Sequence, residues 1–82
     1  MMMTRSGKLN ITDLEKMETA EVISFDGLDP VFVRRLMDLG IYQSARITVL
    51  NKLSFDRLFL LEVDNVEICI RRDDAEKIEV RK

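Results

Sequence analysis

Residues 29–40 read DPVFVRRLMDLG, a short helix with both of its ends spelled out. Asp29 can accept hydrogen bonds from the free N–H groups of the first turn, and Pro30 suits the first helical position. Gly40 can adopt the left-handed conformation that ends a helix, which costs a residue with a Cβ roughly 1–2 kcal/mol. Between the caps, Phe32, Leu36 and Leu39 form an apolar stripe widened by Val33 and Met37, with Arg34, Arg35 and Asp38 on the polar side. About three turns of helix are too few to persist alone in water. The helix must therefore pack against something, and the rest of the chain reads as strands.

On the N-terminal side, residues 1–8 are polar and without apolar period, and are expected to form a mobile tail ahead of one domain over residues 9–82. Residues 10–17 read as a helical turn, with Thr12 and Glu15 at capping-box spacing. Leu9, Ile11, Leu14 and Met17 are its expected inward residues. Residues 20–25 form the first strand, and Asp26 and Gly27 break it.

After the helix, residues 41–45 lead into a strand at residues 46–51, in which Ile47 and Val49 alternate with Arg46 and Thr48. Residues 52–57 are a loop or wide hairpin, unusually apolar because of Leu53 and Phe55. Residues 58–63 and 66–71 are strands, joined by Asp64-Asn65, two residue types that tolerate positive φ. Val66, Ile68 and Ile70 share one face of the second strand. Residues 73–77 read as a helical turn carrying Ala75, and residues 78–80 as a closing strand. The fold class is mainly β: a small antiparallel barrel of about five strands, with one inserted α-helix and short helical turns.

The totals narrow the function. Eighty-two residues suffice for one modest core, and a chain that is 46% hydrophobic and 34% charged is typical of a folded domain. Thirteen basic and fifteen acidic residues, mixed along the chain, make the net charge −2, so no basic stripe invites nucleic acid. No apolar run approaches the roughly twenty residues of a membrane span, and no signal-peptide pattern is visible. The single cysteine fits a reducing compartment.

There is no histidine, and the only three glycines, at positions 7, 27 and 40, cannot build a phosphate-cradling loop. Asp73, Asp74 and Glu76 are adjacent acids at a helix start, where they favour the helix dipole. As metal ligands, these three carboxylates and Cys69 would make a weak, unselective set for Fe(II) or another divalent ion.

The second face of the strands is more informative. With Phe59, Leu61 and Val63 pointing inward, Leu58 and Leu60 point outward. Leu50 and Cys69 fall on the same side, with Leu53 and Phe55 in the adjoining loop. A contiguous apolar patch of this kind marks a docking or self-association surface unless another element covers it.

Taken in order, these segments resemble the FeoA family, small SH3-like barrels associated with bacterial ferrous iron uptake. Residues 34–41, RRLMDLGI, match its RRL-x-x-LG-hydrophobic segment. Residues 45–49, ARITV, match its A-x-I-x-V strand, and Ile68-Cys69-Ile70-Arg71 with Ala75 and Ile78-Glu79-Val80 match its closing pattern. The resemblance spans residues 9–80. The sequence departs from the family at Ser44, where a glycine is usual, at the Asp64-Asn65 turn, and at residues 52–57, which lack the usual Gly-Pro content.

The resemblance implies a stand-alone, non-enzymatic accessory protein in the cytoplasm, peripheral to the inner membrane through its partner. That partner would be the cytoplasmic part of the membrane GTPase FeoB. Arg34, Arg35, Leu50, Leu53, Phe55, Leu58 and Leu60 are the candidate contacts. The alternatives are a divalent-metal sensor using Cys69, Asp73, Asp74 or Glu76, and a weakly self-associating barrel without metal.

Overall fold

The computed structural model describes residues 9–25 and 28–82; the proposed tail and the break at Asp26-Gly27 lie outside the described residues. The described residues form six strands: β1 (Leu9–Asn10), β2 (Thr19–Phe25), β3 (Arg46–Leu53), β4 (Leu58–Val63), β5 (Val66–Arg71) and β6 (Ile78–Arg81). Two helices, α1 (Pro30–Asp38) and α2 (Arg72–Ala75), and a 3-10 turn at Ile11–Asp13 complete the set. All ladders are antiparallel, in the order β1-β6-β2-β3-β4-β5.

The expected mainly β, SH3-like architecture is therefore present, with six strands instead of about five. The added strand, β1, pairs only Leu9 with Val80 and Asn10 with Glu79, too short a run to carry any alternation. Among the described residues, the ladder ends at β1 and β5, so hydrogen bonding does not close the sheet into a ring. One apolar cluster nonetheless takes side chains from β2 through β6, from α1 and α2 and from the 3-10 turn, with Leu9 of β1 packed against it.

Two β-bulges decide which side chains reach that cluster. In β2, the register shifts between Val22 and Ser24, leaving Phe25 opposite Ile78. Strict alternation from Ala20 and Val22 would have turned Ser24 inward; instead its hydroxyl donates to Glu79 Oε1 at 2.9 Å and Phe25 packs on the core. In β3, the shift lies between Val49 and Asn51, so Asn51, and not Leu50, stands opposite Leu60. Lys52 then pairs with Phe59 and lays its Nζ 5.6 Å from the buried ring's centre, while Leu53 turns outward opposite Leu58. The strand also runs to Leu53, further than the expected residue 51, which shortens the connecting turn to residues 54–57.

Helix α1 forms as its ends dictate. Asp29 accepts from the Val31 N–H at 2.7 Å, and Gly40 has φ +103°. At the C-terminus, the Gly40 N–H donates to Met37 O at 3.0 Å and the Ile41 N–H to Leu36 O at 2.8 Å, the paired bonds of a Schellman motif. That reversal corrects the expected apolar stripe. Ile41 folds back into the core beside Leu36, while Leu39 and Met37 are each left 49% exposed. Leu36 is the helix's one buried residue, helped by a half-buried Phe32. Full burial of one such side chain stabilises by roughly 1.5–3 kcal/mol, so α1 is held at few points.

The opening turn departs from expectation in two respects. Its capping box is Asn10 with Asp13, not Thr12 with Glu15: the Asn10 side chain accepts from the Thr12 N–H at 2.9 Å, and Asp13 Oδ2 accepts from the Asn10 N–H at 2.9 Å. Ile11 and Leu14 are fully buried as expected, but Met17 is 64% exposed, because it takes φ +71° where the chain turns toward β2. The next residue, Glu18, has its carboxyl held below the usual value, first by the Glu15 N–H at 2.7 Å and then by Lys82 Nζ at 3.2 Å.

The turn substitutions are accommodated at a local cost. Ser44 has φ +80° and donates its N–H to Val22 O at 2.7 Å, a left-handed position that explains a glycine preference there. Asp64 and Asn65 have φ +52° and +69°, the two positive values of a type I′ hairpin turn, directly after the Val63–Val66 pair.

Two substitution pairs test this account by urea unfolding. Leu36→Ala is expected to destabilise the domain by roughly 2–5 kcal/mol, and Leu39→Ala by less than about 1 kcal/mol, because only the first opens a buried cavity. Ser44→Gly is expected to stabilise by up to about 1 kcal/mol through relief of the left-handed backbone, whereas Ser44→Ala should give no such gain.

Candidate functional site

The outer face of β3, β4 and β5 follows from the ladder register. Leu53 faces Leu58, Leu58 faces Arg71, and Leu60 stands between Asn51 and Cys69. Leu50, Leu58 and Leu60 are half-buried, Leu53 is exposed, and Phe55 is completely exposed. The buried residues of α1 and of the 3-10 turn belong to the core cluster on the opposite face. Neither element spends its buried side chains on covering the outer leucines.

The β3–β4 turn presents Phe55 under strain. Ser54, Phe55 and Asp56 have φ values of +53°, +58° and +67°, three successive non-glycine residues in the left-handed region. Such backbone costs roughly 1–2 kcal/mol per residue, less for Asp. The turn is nevertheless anchored. The Arg57 N–H donates to Leu53 O at 3.0 Å, and the Arg72 N–H donates to Arg57 O at 2.7 Å. The Arg72 guanidinium also donates to Asp56 O at 3.2 Å, so the turn's tip is tied to the start of α2.

Between these elements lies a cleft of about 470 Å³ lined by Arg57, Leu58, Arg71, Arg72 and Asp73. A second groove of about 250 Å³ runs between α1 and β5, with Phe32, Leu36 and Leu39 on one side, Ile68 and Ile70 on the other, and Arg35 and Asp74 on its rim. Arg71 lines both. Arg34 and Arg35 are exposed on α1, as expected. The sequence reading missed Arg57, Arg71 and Arg72: the last two are adjacent, but Arg57 is distant along the chain and reaches them only through the β4–β5 register. It also missed the exposure of Met37 and Leu39, for which the Gly40-Ile41 reversal was the available signal.

The proposed metal ligands do not converge. Cys69 is a free, exposed thiol on the outer face of β5, Asp73 and Asp74 sit in the first turn of α2, and Glu76 Oε2 pairs with Arg72 Nε at 3.3 Å. Among the described residues, no three His, Cys, Asp or Glu side chains come together in a way that could hold an ion. Also among the described residues, no helix is long and apolar enough to cross a membrane.

Fold and surface together define a small antiparallel β domain whose distinctive surface features, apolar side chains beside arginines, suit it to binding. The FeoA domain matches residues 9–82, and the chain belongs to the FeoA family. The solution structure of FeoA protein from Chlorobium tepidum is 30% identical, with a TM-score of 0.83 over 89% of this chain and 69% of that one. A FeoA-like protein from Clostridium acetobutylicum is 21% identical, with a TM-score of 0.77 over 94% of this chain and 88% of that one. A manganese-dependent transcriptional repressor shares the fold at 20% identity and a TM-score of 0.80, over 92% of this chain but 41% of the repressor. No curated protein matches the chain.

If Phe55 serves the surface and not the core, Phe55→Asn should leave stability unchanged or raise it by up to about 1 kcal/mol in urea unfolding, since Asn tolerates the left-handed region. A loss of more than about 1 kcal/mol would show that Phe55 packs.

Proposed function

We propose that this chain is a cytoplasmic accessory protein of ferrous iron uptake, which docks on the cytoplasmic part of the membrane GTPase FeoB and modulates transport. It acts by binding and not by catalysis, and reaches the inner membrane only through that partner. The observation that carries this reading is the pairing of exposed apolar side chains with exposed arginines around β5, in a chain of the FeoA family.

Apolar contacts supply affinity at a docking surface, and charges supply orientation and association rate. Helix α1 offers both: Met37 and Leu39 are half exposed, and Arg34 and Arg35 are free of ion pairs among the described residues. Because its one buried residue is Leu36, this surface can change without opening the core.

Titration against the purified cytoplasmic GTPase domain of FeoB, with and without guanine nucleotide, tests the proposal. Saturable binding is expected in at least one nucleotide state. Arg34→Glu with Arg35→Glu should weaken it tenfold or more while leaving the unfolding midpoint in urea unchanged. Absence of binding in every nucleotide state would overturn the reading.

A further inference from the structure

Three arginines meet at one end of β5 in a chain whose net charge is −2. Arg57 ends the strained β3–β4 turn, Arg71 ends β5, and Arg72 opens α2. Arg72 is committed to the fold through Asp56 O and Glu76. The side chains of Arg57 and Arg71 make no ion pair or hydrogen bond among the described residues, although Asp73 stands on the same cleft wall. Cations gathered in a concavity and left unpaired concentrate positive potential there, and guanidinium groups match carboxylates in bidentate geometry.

The cleft is not uniformly charged. Leu58 lines it, Phe55 stands two residues from Arg57 on the same turn, and Arg71 also lines the apolar groove between α1 and β5. We propose that the cleft at Arg57, Arg71 and Arg72, with the groove that adjoins it at Arg71, seats an acidic segment of a partner protein whose carboxylates alternate with apolar side chains. This deepens the docking reading above and rests on it. A free inorganic anion would use the arginines but leave Leu58 and the groove without a purpose. Nucleic acid would need a cationic track, and here acidic residues border the site at Asp56, Asp73 and Asp74.

The test uses the full chain labelled with nitrogen-15 and a synthetic probe peptide, acetyl-Leu-Asp-Leu-Glu-Phe-Asp-amide. Its controls are the same peptide with Asn and Gln in place of the acids, and inorganic phosphate. Amide shifts should centre on Arg57, Leu58, Arg71 and Arg72. Affinity should fall tenfold or more for the amide control and for Arg57→Gln with Arg71→Gln, but stay unchanged for Arg46→Gln with Lys16→Gln, which removes equal charge elsewhere. Equal binding of the amide control, shifts scattered over the surface, or phosphate competing at concentrations similar to the peptide's would overturn the proposal.

A second arm separates this inference from the docking reading. The FeoB cytoplasmic domain should bind the Arg57→Gln, Arg71→Gln variant at least tenfold more weakly than the wild-type chain. Equal binding of the two would overturn the cleft as the docking site while leaving the docking reading intact. If the domain binds neither but the peptide lands in the cleft as described, FeoB is the wrong partner and the cleft's chemistry is upheld.

Discussion

Strand side chains alternate with period two, and this sheet keeps a continuous core because two residues step out of that alternation. At Ile23, the bulge sends Phe25 instead of Ser24 to the inner face, and the serine hydroxyl finds Glu79 at the rim. At Leu50, the bulge brings the Lys52 ammonium over the Phe59 ring and turns Leu53 outward beside Leu58. The same local event thus closes the core at one end of β3 and builds the apolar part of the outer surface. Core and candidate site are two faces of one register.

Helix α1 shows the opposite economy. It is capped at both ends by its own residues, yet enters the core through Leu36, with Ile41 following after the Schellman reversal. A helix so held contributes little to stability over most of its surface. Exposed apolar side chains at its C-terminal end, Met37 and Leu39, are available to a partner, and with β5 it walls a groove that Arg35 and Arg71 also line. The surfaces flanking β5 therefore belong to elements whose outward residues the fold does not need.

Much of this architecture was legible in the sequence, for reasons that can be stated. Asp29-Pro30 and Gly40 mark helix ends by backbone chemistry that no distant contact overrides, and Asp64-Asn65 between two alternating runs admits only a tight hairpin. Ile47, Val49, Phe59, Leu61, Ile68 and Ile70 keep strict period two and are buried. What was not legible depends on pairing. Strand β1 exists because β6 offers it a partner, and the capping box fell to Asn10 and Asp13 because the turn begins there, two residues earlier than the Thr12 reading placed its cap. Leu39 and Met17 looked inward by period alone, yet each lies where the backbone turns away from the core. The arginine cleft had no sequence signal, since only the β4–β5 register brings Arg57 to Arg71.

Among the described residues, left-handed backbone occurs at Met17 and Gly40 and in the turns at Ser44, residues 54–56 and Asp64-Asn65, and these last three are not equivalent. At Ser44, it lets the chain donate to Val22 and start β3 in register; at Asp64-Asn65, it sets the Val63–Val66 pair. Both are repaid inside the sheet. Residues 54–56 likewise set the Leu53–Leu58 pair, but they also hold Phe55 wholly in solvent and bring Arg57 beneath Arg72. Strained backbone clusters where a segment presents side chains for function. On that ground the β3–β4 turn, with Phe55 wholly exposed on left-handed backbone, is as strong a part of the proposed binding surface as the better-marked helix.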